Sequence, residues 1–347
     1  MRSKIIGLVA LALAAPAASA QTFEGSDGIE LREVFATVII KLEGEGPLTL
    51  ARSGPSADEL RIREGQAVSI LGAFEPRTFQ NELRAAIRGT PKGPGRTERA
   101  FQKMLDDQPT LTVVAAQGTA IRIVDGAVKL TVEGDAGAVE IEDNAMLFVE
   151  MDDFETGTIE VNGAGDVRVG TIRQAFAGKV HGSGDLIFED AGTAQLSVHG
   201  SGDLEGQTVR GDLVASVHGS GDLELVRVDG DAQASVHGSG DLDLGRVGGA
   251  LDVEVHGSGD LAADMVSREL KATVHGSGDV SVDGGSVQSL YARVSGSGEL
   301  DYRGSAVNAN LASSGAGSID VGPVSGSLTT NGKNISVDGK RMAREDD

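Results

Sequence analysis

All six histidines of this 347-residue chain fall in one recurring phrase, His-Gly-Ser-Gly-Asp followed by Leu or Val. The copies begin at His181, His199, His218, His237, His256 and His275, so the step is 18 residues once and 19 thereafter. Each copy also supplies a carboxylate: Asp185, Asp203, Asp222, Asp241, Asp260 and Asp279. If the copies stack, the imidazoles form one column and the carboxylates a second. Imidazole suits zinc, copper and nickel, and carboxylate suits calcium, so the paired columns are a candidate ladder for a divalent cation. The same residues admit a structural role, in which Asp and Ser bond backbone amides at each glycine corner as in Asx turns and the histidines form a solvated stack. Charge repulsion along such a column, roughly 1 kcal/mol per close pair in bulk water, must be offset by protonation, hydrogen bonds or a cation. A spacing near 19 residues lacks the nonapeptide rhythm of calcium-binding rolls. No other cofactor is indicated.

Catalysis is a weaker fit. Ser, His and Asp recur at the same place in every copy, whereas a nucleophilic triad needs one preorganised cluster with a buried orienting acid. The chain is read as non-enzymatic, with a carbohydrate-active enzyme on the same scaffold as the remote alternative. The absence of Trp and the 3 % aromatic content count against sugar platforms.

The elements that would position these side chains follow from the period. Degenerate copies at Asn162–Asp166, Ser295–Glu299 and Ser314–Ser318, with Asn331–Asn334 as a last echo, extend the array on both sides. A period of this size marks a coil that cannot bury its own apolar side and must stack on its neighbours. Within residues 231–250, Ala232, Ala234, Val236, Leu242 and Leu244 share one parity and point inward. Gly238 and Gly240 continue that parity, which turns His237, Ser239 and Asp241 outward and leaves Gly-Ser-Gly as either bend or flat strand. The expected fold is all-β: a right-handed parallel β-helix of about 19-residue coils, roughly eleven of them between residues 125 and 335, with a small helical insertion near the N-terminal end.

The regions around the array differ from it. Residues 1–20 read as a signal peptide, with basic Arg2 and Lys4, an apolar Ile5–Ala15 stretch and a cleavage site after Ala20. The mature chain is then periplasmic, secreted or cell-surface, with no transmembrane segment, and zero cysteines mean no disulfides. Losing Arg2 and Lys4 takes the formal charge from −22 to −24, which excludes nucleic acid as a partner. Residues 21–110 hold opening strands at Val34–Ile40, Leu48–Leu50 and Leu60–Ile62. They also hold a helix-loop-helix over about 77–107, expected to cap the solenoid, and residues 111–339 complete the β-helix before a disordered tail over 340–347. The helical pair is the basic exception in an acidic chain: Arg77, Arg84, Arg88, Lys92, Arg96, Arg99 and Lys103 stand against Glu82 and Glu98. It is a docking candidate for an anionic partner, or a cap whose basic face lies on the acidic coils.

The Gly-Ser-Gly-Asp phrases at Gly182, Gly200, Gly219, Gly238, Gly257 and Gly276, the Gly-Ser-Gly-Glu at Gly296 and the opening strand after a leader resemble the autotransporter-adhesin head GIN domain family. The resemblance spans about Phe23 to Leu328. It departs from the family in the His before almost every copy and in the basic helical insertion. It implies an extracytoplasmic bacterial protein on a right-handed β-helix. The reading that follows is an exported binding or scaffold module of the cell envelope. Its expected partners are an envelope or cell-surface protein or polysaccharide and, through self-association, further copies of the chain. The alternative is a periplasmic divalent-metal-binding protein using the His and Asp columns.

Overall fold

Alternation of side chains decides the rung. In Leu213–Val217, Ala232–Val236 and Leu251–Val255 every second residue is buried, and the same holds for Leu223–Leu225, Leu242–Leu244 and Leu261–Ala263 on the opposite wall. A computed structural model describes residues 20–342, and residues 1–19, within the expected signal peptide, and residues 343–347 lie outside the described range. These strands stack as a parallel β-solenoid of about eleven turns with coils of ~19 residues. Leu213 pairs with Ala232 and Ala232 with Leu251, while Leu223 pairs with Leu242 and Leu242 with Leu261. Each of these coils therefore repeats its neighbour in register, and the earlier ladder is interrupted by register shifts at Phe154–Gly157 and Ile172–Ala175. A shift of one residue would turn Leu225 and Val217 out into water and Glu224 and Ser216 into the core.

The interior is a continuous apolar file running from Phe23 to Val337. It is built from small and branched side chains because the coil is narrow. Where a coil carries a large ring, its neighbours yield. Phe154, Phe176 and Phe188 form an edge-on aromatic run at 6.3 and 5.3 Å, and Gly206 sits beside Phe188 in the next coil.

The N-terminal end is more tangled than a plain stack. Gly28–Arg32 lies between Ala67–Leu71 and Ala120–Val124, and Phe35–Leu42 lies between Thr110–Ala115 and Ala127–Glu133, all in parallel. The first coil in sequence is thus second in space. Antiparallel strands close this end: Leu48–Ser53 covers Thr110–Ala115, Gln21–Phe23 covers Leu48–Leu50, and Arg61–Arg63 covers Ser69–Leu71. Arg61 and Arg63 place charge on an outer edge, which discourages edge-to-edge pairing with another sheet.

The cap expected from the helical pair is therefore built by strands. The helices, α1 (Pro76–Gly89) and α2 (Arg96–Leu105), lie on the side wall instead. Their buried residues Phe79, Leu83, Phe101 and Leu105 pack on Ala127, Met146, Phe35, Phe148 and Ala164. Phe35, Ala127, Met146 and Ala164 are register partners across four successive coils, so an apolar stripe on the outer wall draws the hairpin sideways. At the other end Lys340 and Arg341, expected in the tail, pair antiparallel with Val337 and Ser336. Among the described residues no helix is long and apolar enough to cross a membrane.

Candidate functional site

The glycine corner positions both columns. Gly-Ser-Gly is a bend, and its amides bond backward: Ser239 N–H donates to the Gly219 carbonyl at 3.0 Å and His237 N–H to the Val217 carbonyl at 2.8 Å. Gly238 and Gly240 keep ordinary backbone angles, so left-handed freedom is not what selects them. Space selects them: a Cβ on either would overlap the Gly219 or Gly221 carbonyl oxygen of the coil before. Corner backbones stack at van der Waals contact, and this is why His237, Ser239 and Asp241 all emerge into solvent.

The six histidines form one column of adjacent rings, in which His199–His218 and His256–His275 stack face on and the other three pairs are tilted by 40–56°. Successive centroids are 4.8, 4.7, 4.9, 4.8 and 4.9 Å apart from His181 through His275, and the column continues through a 2.6 Å hydrogen bond between His275 Nδ1 and Ser295 Oγ. The rings shield one another from water. His199, His218 and His237 are pushed below the usual imidazole range, chiefly by burial and then by neighbouring imidazoles, with Lys179 adding to the effect at His199. Glu254 acts the other way on His237 and lies 3.7 Å from His256.

The sign of the resulting pH dependence is fixed. A histidine with a lowered folded value takes up protons more readily when unfolded, so unfolding is favoured as pH falls from above 6.5 toward the lowered values. Thermal stability should decline between pH 7 and 5.5. H199Q/H218Q/H237Q should show a shallower decline in the same scans, and an unchanged slope would refute the coupling.

The carboxylate column has a definite partner in each coil. Asp203, Asp222, Asp241, Asp260 and Asp279 each donate their backbone N–H to Oδ1 of the Asp one coil earlier, at 2.8–3.0 Å, and Glu299 N–H continues the series onto Asp279 at 2.6 Å. The bond is inter-coil, not the local Asx turn considered from sequence. A similar run on the far corner links Asp231 N–H to Asp212 and Ala250 N–H to Asp231. Asp241→Ala should therefore cost about 1 kcal/mol by stranding the Asp260 N–H. Asp241→Asn keeps the acceptor and should stay within about 0.5 kcal/mol of the parent in urea denaturation.

The geometry bears on metal binding. Each Asp engages one oxygen with backbone, and zinc–imidazole bonds of about 2.0–2.1 Å require two ring nitrogens to converge within about 4.2 Å. Among the described residues no group of three or more His, Asp or Glu side chains converges as a ligand set.

The basic hairpin divides into two groups. Arg96 donates from Nε to the Thr90 carbonyl at 2.9 Å, and Arg99 donates to the carbonyls of Pro91 (3.3 Å) and Pro94; both hold the loop between the helices. Arg77, Arg84, Arg88, Lys92 and Lys103 are exposed. Among the described residues no ion pair joins any of the seven to a carboxylate, so the basic face does not lie on the acidic coils. Elsewhere cations do bridge coils, as Arg122 does between Glu30 (3.0 Å) and Glu140 (2.8 Å).

Residues 245–336 match the model of the family described as "Putative auto-transporter adhesin, head GIN domain". The matched segment contains the corners at His256 and His275 and the serine-led corners after them. No curated protein and no solved structure matches the chain.

Proposed function

We propose that this chain is an exported, non-enzymatic binding and scaffold module that works at the bacterial cell envelope. The observation that carries the reading is the in-register repetition of one corner. It sets the same side chains on a stiff rod at the ~4.8 Å strand spacing, coil after coil. Such a surface is multivalent by construction: weak contacts to a repeating partner add along the rod without any deep pocket. The match of residues 245–336 to an adhesin-head family supports the same direction. The Ser, His and Asp of the corners are equivalent from coil to coil and each faces solvent, which fits recognition better than a single reaction centre.

Two measurements test this. Residues 1–20 fused to an alkaline phosphatase lacking its own leader should give active enzyme outside the cytoplasm. Residues 21–347 should cosediment saturably with isolated envelopes. Phosphatase that stays inactive inside the cell, or envelopes that take up no protein, would overturn the reading.

A further inference from the structure

The outer face of α1 is a single arginine stripe. Arg77, Arg84 and Arg88 are seven and four residues apart, so they fall on one side of the helix within about 17 Å of its length. Phe79 and Leu83 occupy the opposite, buried side. Between Arg77 and Arg84 lies a shallow depression lined by Pro76, Arg77, Gln80, Asn81 and Arg84. Its chemistry is that of two guanidinium forks flanking two side-chain amides. The nearest acids of the helix face elsewhere: Glu75 and Glu82 line a separate depression with Glu59, toward Phe35 and Leu60. The stripe is therefore positive and donor-rich, on a chain whose formal charge is −22.

We infer that this face binds an anionic polysaccharide, with carboxylate groups of a uronate-type polymer seated between Arg77 and Arg84. The inference rests on the envelope-binding reading and names the partner's chemistry. Guanidinium forks match carboxylates in bidentate geometry, and amides supply further donors to sugar oxygens. A lipid bilayer fits less well. The apolar residues of α1 are spent on the solenoid wall, leaving nothing to insert between headgroups. A flat anionic membrane would also meet the acidic rod beside the helix, whereas a single polymer strand can follow the stripe alone.

The test is a binding titration of residues 21–347 with polygalacturonate, with neutral dextran and with vesicles containing phosphatidylglycerol. Polygalacturonate should bind in a salt-sensitive manner and dextran should not. R77Q/R84Q should weaken polygalacturonate binding at least tenfold while its circular dichroism and melting temperature stay those of the parent. R227Q, at an exposed arginine of the solenoid, should bind as the parent does. Parental affinity in R77Q/R84Q, no binding at low salt, or arginine-dependent vesicle binding as strong as that to polygalacturonate would overturn the inference. A parent that cosediments with envelopes yet ignores polygalacturonate overturns this inference alone. A parent that binds polygalacturonate but never cosediments overturns the envelope reading alone.

Discussion

Gly240→Ala should be among the most damaging single-methyl additions in this protein, costing about 3 kcal/mol in urea denaturation. The added Cβ would overlap the Gly221 carbonyl oxygen, a backbone atom of the neighbouring coil that no rotamer change can move aside. Relief requires the coils to part at the corner, which lengthens the Ser239 and His237 hydrogen bonds to the coil before. Each coil touches only its neighbours, so parting them divides the stack into two units that can melt separately. The unfolding curve should broaden or split, and limited proteolysis should nick near residues 237–241. Gly46→Ala is the matched comparison: nothing lies within 4 Å of the added atom, and the expected change is within about 0.5 kcal/mol. Equal effects at the two positions would show that corner packing is not what selects glycine.

Phe101→Ala should release the helical hairpin while leaving the solenoid folded. Phe101 is 1 % exposed and stands at the centre of an aromatic cluster, stacked on Phe148 (5.5 Å) and Phe35 (5.9 Å) and edge-on to Phe79 (6.1 Å). Truncating a buried phenylalanine costs about 3–5 kcal/mol, more than two short amphipathic helices can recover from their own propensity. Hydrogen exchange should therefore show residues 76–105 losing protection while strands such as Leu251–Val255 keep theirs. Loss of protection throughout would mean that the hairpin supports the stack, as a cap would. Protection unchanged everywhere would mean that the aromatic cluster does not anchor it.

Much of this architecture could be read from the residues, and the limits were physical. In residues 231–250 the alternation assigns Ala232, Ala234, Val236, Leu242 and Leu244 inward, and all five are buried; it misses Val247, which is buried on the other parity after the alternation slips at Gly245–Arg246. The outward His237, Ser239 and Asp241 came from the same parity. The choice between bend and strand at Gly-Ser-Gly could not, because it depends on the carbonyls of another coil. For the same reason the Asp column's partners, backbone amides one coil away, were out of reach of local turn rules. The two helices were visible from their apolar spacing. Their seat on the side wall was not, since the receiving stripe of Phe35, Ala127, Met146 and Ala164 assembles only once four coils are in register. The insertion of Gly28–Arg32 and Phe35–Leu42 between later strands was hidden too: parallel strands leave no turn signal naming their partners. The arginine stripe showed in sequence only as an excess of charge. Separating Arg96 and Arg99, which hold a loop, from Arg77 and Arg84, which face solvent, required side-chain positions.

Register between coils underlies every column described, and engineered disulfides test it most directly because the parent has no cysteine. Val214 and Gln233 are outward register partners on adjacent coils, and Asp252 is one coil further on. Adjacent parallel strands lie about 4.8 Å apart, within the ~4.4–6.8 Å that a disulfide spans between Cα atoms, whereas two coils separate them by about 9.6 Å. V214C/Q233C should therefore oxidise to an intramolecular disulfide in the native state, and V214C/D252C should keep two free thiols. Free thiols in the first variant, or a native-state bridge in the second, would contradict in-register stacking.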